Sequence, residues 1–140
     1  LLFLSFCFFL FLPLGLLSTP TVAADKVAAD VEMKGPAKIT KGKSGELEVT
    51  ISARDGWKLS LEAPLSIKLS APGNLSLKKT KLGVKDAAPD KAKRNYSFPT
   101  TITGTASGAA KVEANVTYFM CTEEVCKRFK AKKEIALQVK

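Results

Sequence analysis

From about residue 45 onward, apolar and polar side chains alternate. In "GELEVTISAR" Leu47, Val49, Ile51 and Ala53 fall on one side of an extended chain, while Glu46, Glu48, Thr50 and Ser52 fall on the other. "GWKLSLEAP" and "LSIKLSAPG" continue the pattern, split at Pro64 and closed by Pro72-Gly73, and "NLSLKKTKLG" adds a further short strand. "KDAAPDKAK", residues 85–93, reads as a polar loop. "NYSFPTTITG" returns to extended structure, with Pro99 predicting an edge or a bulge because proline brings no N–H to a ladder. The longest alternating runs are Ala110 to Met120 and Lys127 to Val139. No helical period of any length survives in this part. Seven or so strands at intervals of roughly 8–12 residues predict an all-β, immunoglobulin-like antiparallel β-sandwich. A β-α-β rhythm is missing, which argues against a thioredoxin fold, and Trp57 reads as a core residue.

The chain opens differently. "LLFLSFCFFLFLPLGLLSTPTVAA" carries no charge and ends in the small residues Val22-Ala23-Ala24. This is the pattern of a secretory signal segment, residues 1–24, cut before Asp25 and releasing a domain of residues 25–140. With no initiating Met and no basic n-region, the leader is expected to begin further upstream. The rival is a retained anchor. The apolar run Leu1 to Leu17 contains Pro13 and falls short of the roughly 20 residues a helical span needs, so membrane contact is expected only through an uncleaved leader. Cys7 lacks the small residue before it that a lipoprotein cysteine requires, and it leaves with the leader.

Export sets the redox environment. Cys121 and Cys126 are the two cysteines beyond the leader, and in an oxidising periplasm or extracellular space they are expected to pair. The sequence has no histidine, which excludes imidazole catalysis and most zinc sites. Neither a cofactor nor a metal is expected; a soft-metal site of the two thiols with Met120 would have few ligands. The 22 Lys and Arg against 13 Asp and Glu give a net charge of +9, which attracts anionic membranes, envelope polymers or acidic partners. Few aromatic residues interleave with the lysines, so nucleic-acid binding is not expected. The plain alternative is a lysine-coated solvent face that also guards sheet edges. The N-x-S/T triplets at Asn74, Asn95 and Asn115 read as incidental.

The segment "TYFMCTEEVCKRF" holds the candidate chemistry. If Cys121 faces Cys126 across the loop Thr122 to Val125, then Met120 pairs with Lys127, Phe119 with Arg128, Tyr118 with Phe129 and Val116 with Ala131. That register puts Val112, Val116, Tyr118, Phe129, Ile135 and Leu137 on an inner face, with Lys133 as a misfit. Asn115, Thr117, Phe119, Arg128, Lys130 and Lys132 go to the outer face together with both cysteines. A bond at the tip closes a short loop and removes only about 2 kcal/mol of unfolded-chain entropy. Phe119 beside Arg128 would partly shield the sulfurs. "KRFKAKK" puts five cations in seven residues after Cys126, favouring a thiolate there, although Glu123 and Glu124 oppose them. Two readings stay open: a structural clasp, and a bond that exchanges.

A sandwich whose last hairpin reads "VTYFMCTEEVCKR" before the alternating "EIALQVK", with "ARDGWKLSLEAP" upstream, resembles the N-terminal periplasmic domain of the thiol:disulfide interchange protein DsbD. The resemblance implies exchange of the Cys121–Cys126 disulfide with thioredoxin-like periplasmic partners, with a membrane electron carrier supplied by other chains. It implies that Cys126 is attacked and Cys121 resolves, and that an aromatic cap shields the bond. Tyr96 is the nearest aromatic to that cap position, and Lys127-Arg128-Phe129 replaces a proline-containing segment. The alternative function is a non-catalytic envelope or secreted interaction module with a structural disulfide.

Overall fold

The computed structural model describes residues 28–140; the expected leader, residues 1–24, and its expected cleavage before Asp25 lie outside the described residues. Eleven strands follow in order: β1 (Ala29–Lys34), β2 (Lys38–Ile39), β3 (Ser44–Ala53), β4 (Lys58–Leu59), β5 (Ser66–Ser70), β6 (Leu75–Leu77), β7 (Lys81–Leu82), β8 (Ala88–Pro89), β9 (Asn95–Gly104), β10 (Gly108–Cys121) and β11 (Cys126–Val139). They form two sheets. A five-stranded sheet runs β1-β3-β9-β6 with β8 also on β9, and a six-stranded sheet runs β2-β11-β10-β5-β7 with β4 also on β10. The molecule is thus an all-β, immunoglobulin-like two-sheet sandwich. The strand count exceeds the seven or so expected because β2, β4, β7 and β8 are two residues each, too short to register as alternation. One pairing, β2 with β11, is parallel. Among the described residues no helix is long and apolar enough to cross a membrane.

The alternation sorts as period two requires. Leu47, Val49 and Ile51 of β3 are fully buried in one core cluster with Ile67, Val112, Val116 and Tyr118 of the other sheet. The hairpin of β10 and β11 keeps one register for its whole length, from Gly108 opposite Val139 to Cys121 opposite Cys126. Every pairing expected from the cysteines is present. Phe129 and Ile135 are only half-buried, because β11 is a sheet edge except where β2 joins at Gln138 and Val139. Lys133, the misfit on the inner face, is likewise half-buried at that edge. The polar loop 85–93 begins within a 3-10 turn, Val84–Asp86, and contains the short β8.

Pro99 sits in a strand paired on both sides, yet its position obeys the donor rule. Thr101 O accepts from Lys78 N–H at 2.9 Å, so odd-numbered residues of β9 turn their backbone groups away from β3. On that side β6 covers Ile102 to Gly104 and β8 covers Tyr96 and Ser97. Pro99 falls in the gap between them, a local edge inside a central strand.

At Gly104 the two sheets come close together. A Cβ there would lie 2.7 Å from Val139 Cγ1 and 2.9 Å from Ile39 Cγ2, both on β-branched side chains with little rotamer freedom. Gly104→Ala is therefore expected to lower stability by about 1–3 kcal/mol through overpacking. Denaturant unfolding measures it, and an unchanged midpoint would show that the sheets move apart freely.

Candidate functional site

The hairpin tip is built by the alternation of its own strand. Met120 points inward and is fully buried, so Cys121 must point out. Cys121 and Cys126 are directly opposite, their Cα atoms 4.0 Å apart, and their sulfurs are bonded. So close a cross-strand pair is one that exchanges no backbone hydrogen bonds, which brings side chains together. Beyond it, Thr122 N–H donates to Val125 O at 2.8 Å. The Thr122 hydroxyl accepts from the Glu124 and Val125 amides at 3.2 and 3.1 Å, so the turn is held without a glycine. Cys121 is half-buried and Cys126 is exposed, both on the outer face as expected.

The other edge of β10 brings in a residue that the sequence did not flag. β4 pairs Leu59 with Met120 and Lys58 with Cys121, and Ser60 N–H donates to Phe119 O at 2.9 Å. Lys58, Cys121 and Cys126 therefore form one row across the outer face, with the Lys58 side chain exposed. Only the long-range pairing of a two-residue strand reveals this neighbour.

The remaining expected residues sort by parity. Phe119 and Arg128 are opposite each other on the face of the cysteines, Phe119 half-buried and Arg128 exposed. Lys127 pairs with Met120, as expected, and so alternates to the other face. Lys133 does the same. Of the basic run, Arg128, Lys130 and Lys132 share a face with the disulfide row, where Lys58 joins them. Met120 is buried away from both sulfurs, so a soft-metal set of Met120 with two thiols is not assembled. Among the described residues no group of three His, Cys, Asp or Glu side chains is placed to hold a metal ion.

Beside the tip lies a cleft of about 990 Å³, lined by Cys121, Thr122, Glu123 and Glu124 on one wall and by residues of the turns 54–59 and 92–96 on the others. The first turn closes with Trp57 N–H on Arg54 O at 3.0 Å, with Gly56 at φ 83°, a conformation L side chains rarely take. It delivers Trp57 to the cleft. Trp57 is half-buried, not the plain core residue expected, and meets Phe129 edge-on with centroids 5.8 Å apart. Phe129 in turn stacks on buried Tyr118 at 5.8 Å, joining the cleft to the core. Tyr96, the cap candidate, lines the cleft but is itself nearly buried, so it forms the floor and does not cover the bond.

Ion pairs brace the rim. Arg54 donates to both Asp30 carboxylate oxygens, at 3.2 and 2.8 Å, and Arg94 pairs with Asp55. The turn carrying Arg94 is organised by the Asp90 carboxylate, which accepts from the Arg94 amide at 2.9 Å and from Asn95 Nδ2 at 2.6 Å. The Arg94 hydrogen bond is the first cause holding this carboxyl below its usual range. Lys93 within the turn has φ 53°.

No family model and no curated protein matches the chain. Solved structures do. The CARDB domain of the PF1109 protein from Pyrococcus furiosus, solved with di-metal ions, aligns over 80% of this chain and 94% of its own, with 20% identity and a TM-score of 0.51. Native alpha-2-macroglobulin of Escherichia coli aligns over 81% of this chain and 7% of its own length, with 15% identity and a TM-score of 0.54. Its fragment from domain MG7 to the C-terminus aligns over 83% and 17%, with 16% identity and a TM-score of 0.52. These likenesses establish the sandwich fold. The resemblance to the DsbD domain, drawn from the cysteine hairpin, the final strand and "ARDGWKLSLEAP", has no relative found behind it.

Because the Asp90 carboxyl is depressed in the folded state, its contribution is complete above the ordinary carboxylate pKa of about 3.9 and fades as pH falls through the lower folded value. The Arg94 amide resonance is expected to titrate with a midpoint below that of a free aspartate, and the titration should vanish in Asp90→Asn. A midpoint at or above the free value would show the turn is held otherwise.

Proposed function

We propose that this chain is an exported, non-catalytic β-sandwich interaction module whose Cys121–Cys126 bond is a structural clasp. The observation that carries the reading is the place of the disulfide: it ties the last pair of a 14-residue strand pairing and fixes the tip that walls the Trp57 cleft. A preformed cleft with an aromatic, partly apolar floor and a charged rim suits recognition of a partner without chemistry. The fold supports the same reading, since a domain of this kind forms a small part of the Escherichia coli macroglobulin. An oxidising compartment, periplasmic or extracellular, is part of the proposal because the clasp persists only there.

A second reading is favoured by one observation, the exposure of Cys126 on the outer face. A thiolate of a thioredoxin-like partner, itself reduced by a membrane carrier on another chain, would attack the Cys126 sulfur. The sulfur–sulfur bond would break and Cys121 would depart as a thiolate next to Lys58; a second thiolate of the partner would then attack the partner's own sulfur in the mixed disulfide and release Cys126 as thiolate, leaving the partner oxidised and this chain reduced.

The reduction potential separates the two. The clasp reading expects a value below about −300 mV, whereas a value between about −180 and −270 mV would replace it with exchange. The clasp reading also expects Cys121→Ser with Cys126→Ser to cost about 2 kcal/mol in denaturant unfolding while the fold is kept.

A further inference from the structure

We propose that the outer face of the six-stranded sheet is a binding site for a linear anionic glycan, laid across β11, β10, β5 and β7. This site is separate from the Trp57 cleft and does not depend on the clasp. The strand register makes it. Lys132 is opposite Asn115, Asn115 opposite Lys68, and Lys68 opposite Lys81, so these four side chains form one row across the sheet. The adjacent row is Lys130, Thr117 and Ser66. With strands about 4.8 Å apart, the longer row extends about 14 Å. A groove of about 620 Å³ follows these rows, with Lys68, Lys130 and Lys132 on its walls and Asn115, Thr117 and Ser66 among its lining.

The charges in this groove are not neutralised from within. Lys68 and Lys130 in the groove, and Lys81 at the end of the longer row, have no ion-pair partner among the described residues, whereas Lys132 is shared at 3.8 Å with Glu113 and Glu134. Glu134 is drawn instead to Lys111 at 2.9 Å. Lysines directly opposite on one face, as Lys68 and Lys81 are, repel each other and cost stability. Edge protection accounts for the lysines of β11 and β7. It does not account for Lys68, whose strand is flanked by β10 and β7. An anion seated between them relieves that repulsion.

The floor selects the kind of anion. Amide and hydroxyl groups between the cations suit sugar hydroxyls alternating with carboxylate, sulfate or phosphate. No aromatic ring lines the groove to stack a nucleobase, and the exposed large apolar side chains, Leu61 and Val125, lie outside it, so nothing there enters a bilayer.

The test measures binding of the chain to polygalacturonate, with neutral dextran, phosphatidylglycerol vesicles and oligothymidylate as comparisons. Lys68→Gln, Lys81→Gln and Lys130→Gln together should weaken polygalacturonate binding by at least about tenfold, while the same charge removed at Lys41, Lys43 and Lys91 should change it less than about threefold. Thermal unfolding of the face variant should be unchanged or raised; if it is lowered, Lys68→Gln alone is read, with about a threefold loss expected. Equal losses in the face and control variants would overturn the site. Binding to dextran as tight as to polygalacturonate, or tighter binding to vesicles or oligothymidylate, would overturn the ligand class.

Discussion

The register of β10 against β11 is the constraint on which the rest of the molecule depends. Side chains in a strand alternate with a period of two, so a one-residue slip would exchange the two faces of the hairpin completely. In the observed register Val112, Ala114, Val116, Tyr118 and Met120 all reach the core. The same choice sends Asn115, Thr117, Cys121, Arg128, Lys130 and Lys132 outward. A slip would bury lysines and split the cysteines, so core burial and the disulfide enforce one another. The hairpin then serves as the rail on which shorter strands are placed: β5 and β4 dock along one edge of β10, and β2 closes the end of β11.

From that rail the cleft and the lysine face, the two surfaces proposed to bind partners, both follow. Where β4 meets the hairpin tip, Lys58 joins the disulfide row and the preceding turn supplies Trp57, giving a cleft whose walls are a bonded turn and braced loops. Where β5 and β7 extend the sheet, the cations of β11 acquire Lys68 and Lys81 as companions across a neutral floor. The ion pairs are distributed accordingly: arginines are paired at the cleft rim, while the sheet-face lysines are largely left to solvent. A module of this construction keeps its shape at both surfaces because each is anchored in the same two long strands.

The hairpin was the most legible part of the sequence, because two cysteines with a four-residue spacer and two long alternating runs define a register without any other strand. The inner and outer faces could be assigned residue by residue on that basis. What escaped was everything requiring the strand order. Lys58 becomes a neighbour of Cys121 only through a two-residue strand with no pattern of its own. Lys68 and Lys81 look like ordinary surface lysines until β5 is known to lie between β10 and β7. Lys127 is a sequence neighbour of Arg128, and alternation separates the two onto opposite faces. Trp57 reads as core by residue type, and it is half core and half cleft because a turn with a left-handed glycine holds it at the sandwich end. The cysteine spacing locates the tip, but a tip geometry alone does not distinguish a clasp from an exchanging bond.

Hydrogen exchange of the oxidised and reduced chain is the most direct measurement of whether the hairpin register carries the fold and the bond only secures its end. Reduction should release amides near the tip, around Phe119 to Arg128, and leave Val112 to Thr117 and their partners on β11 protected. Loss of protection along the whole hairpin on reduction would contradict this, showing that the sulfurs, and not the packed alternation, hold the two strands in register.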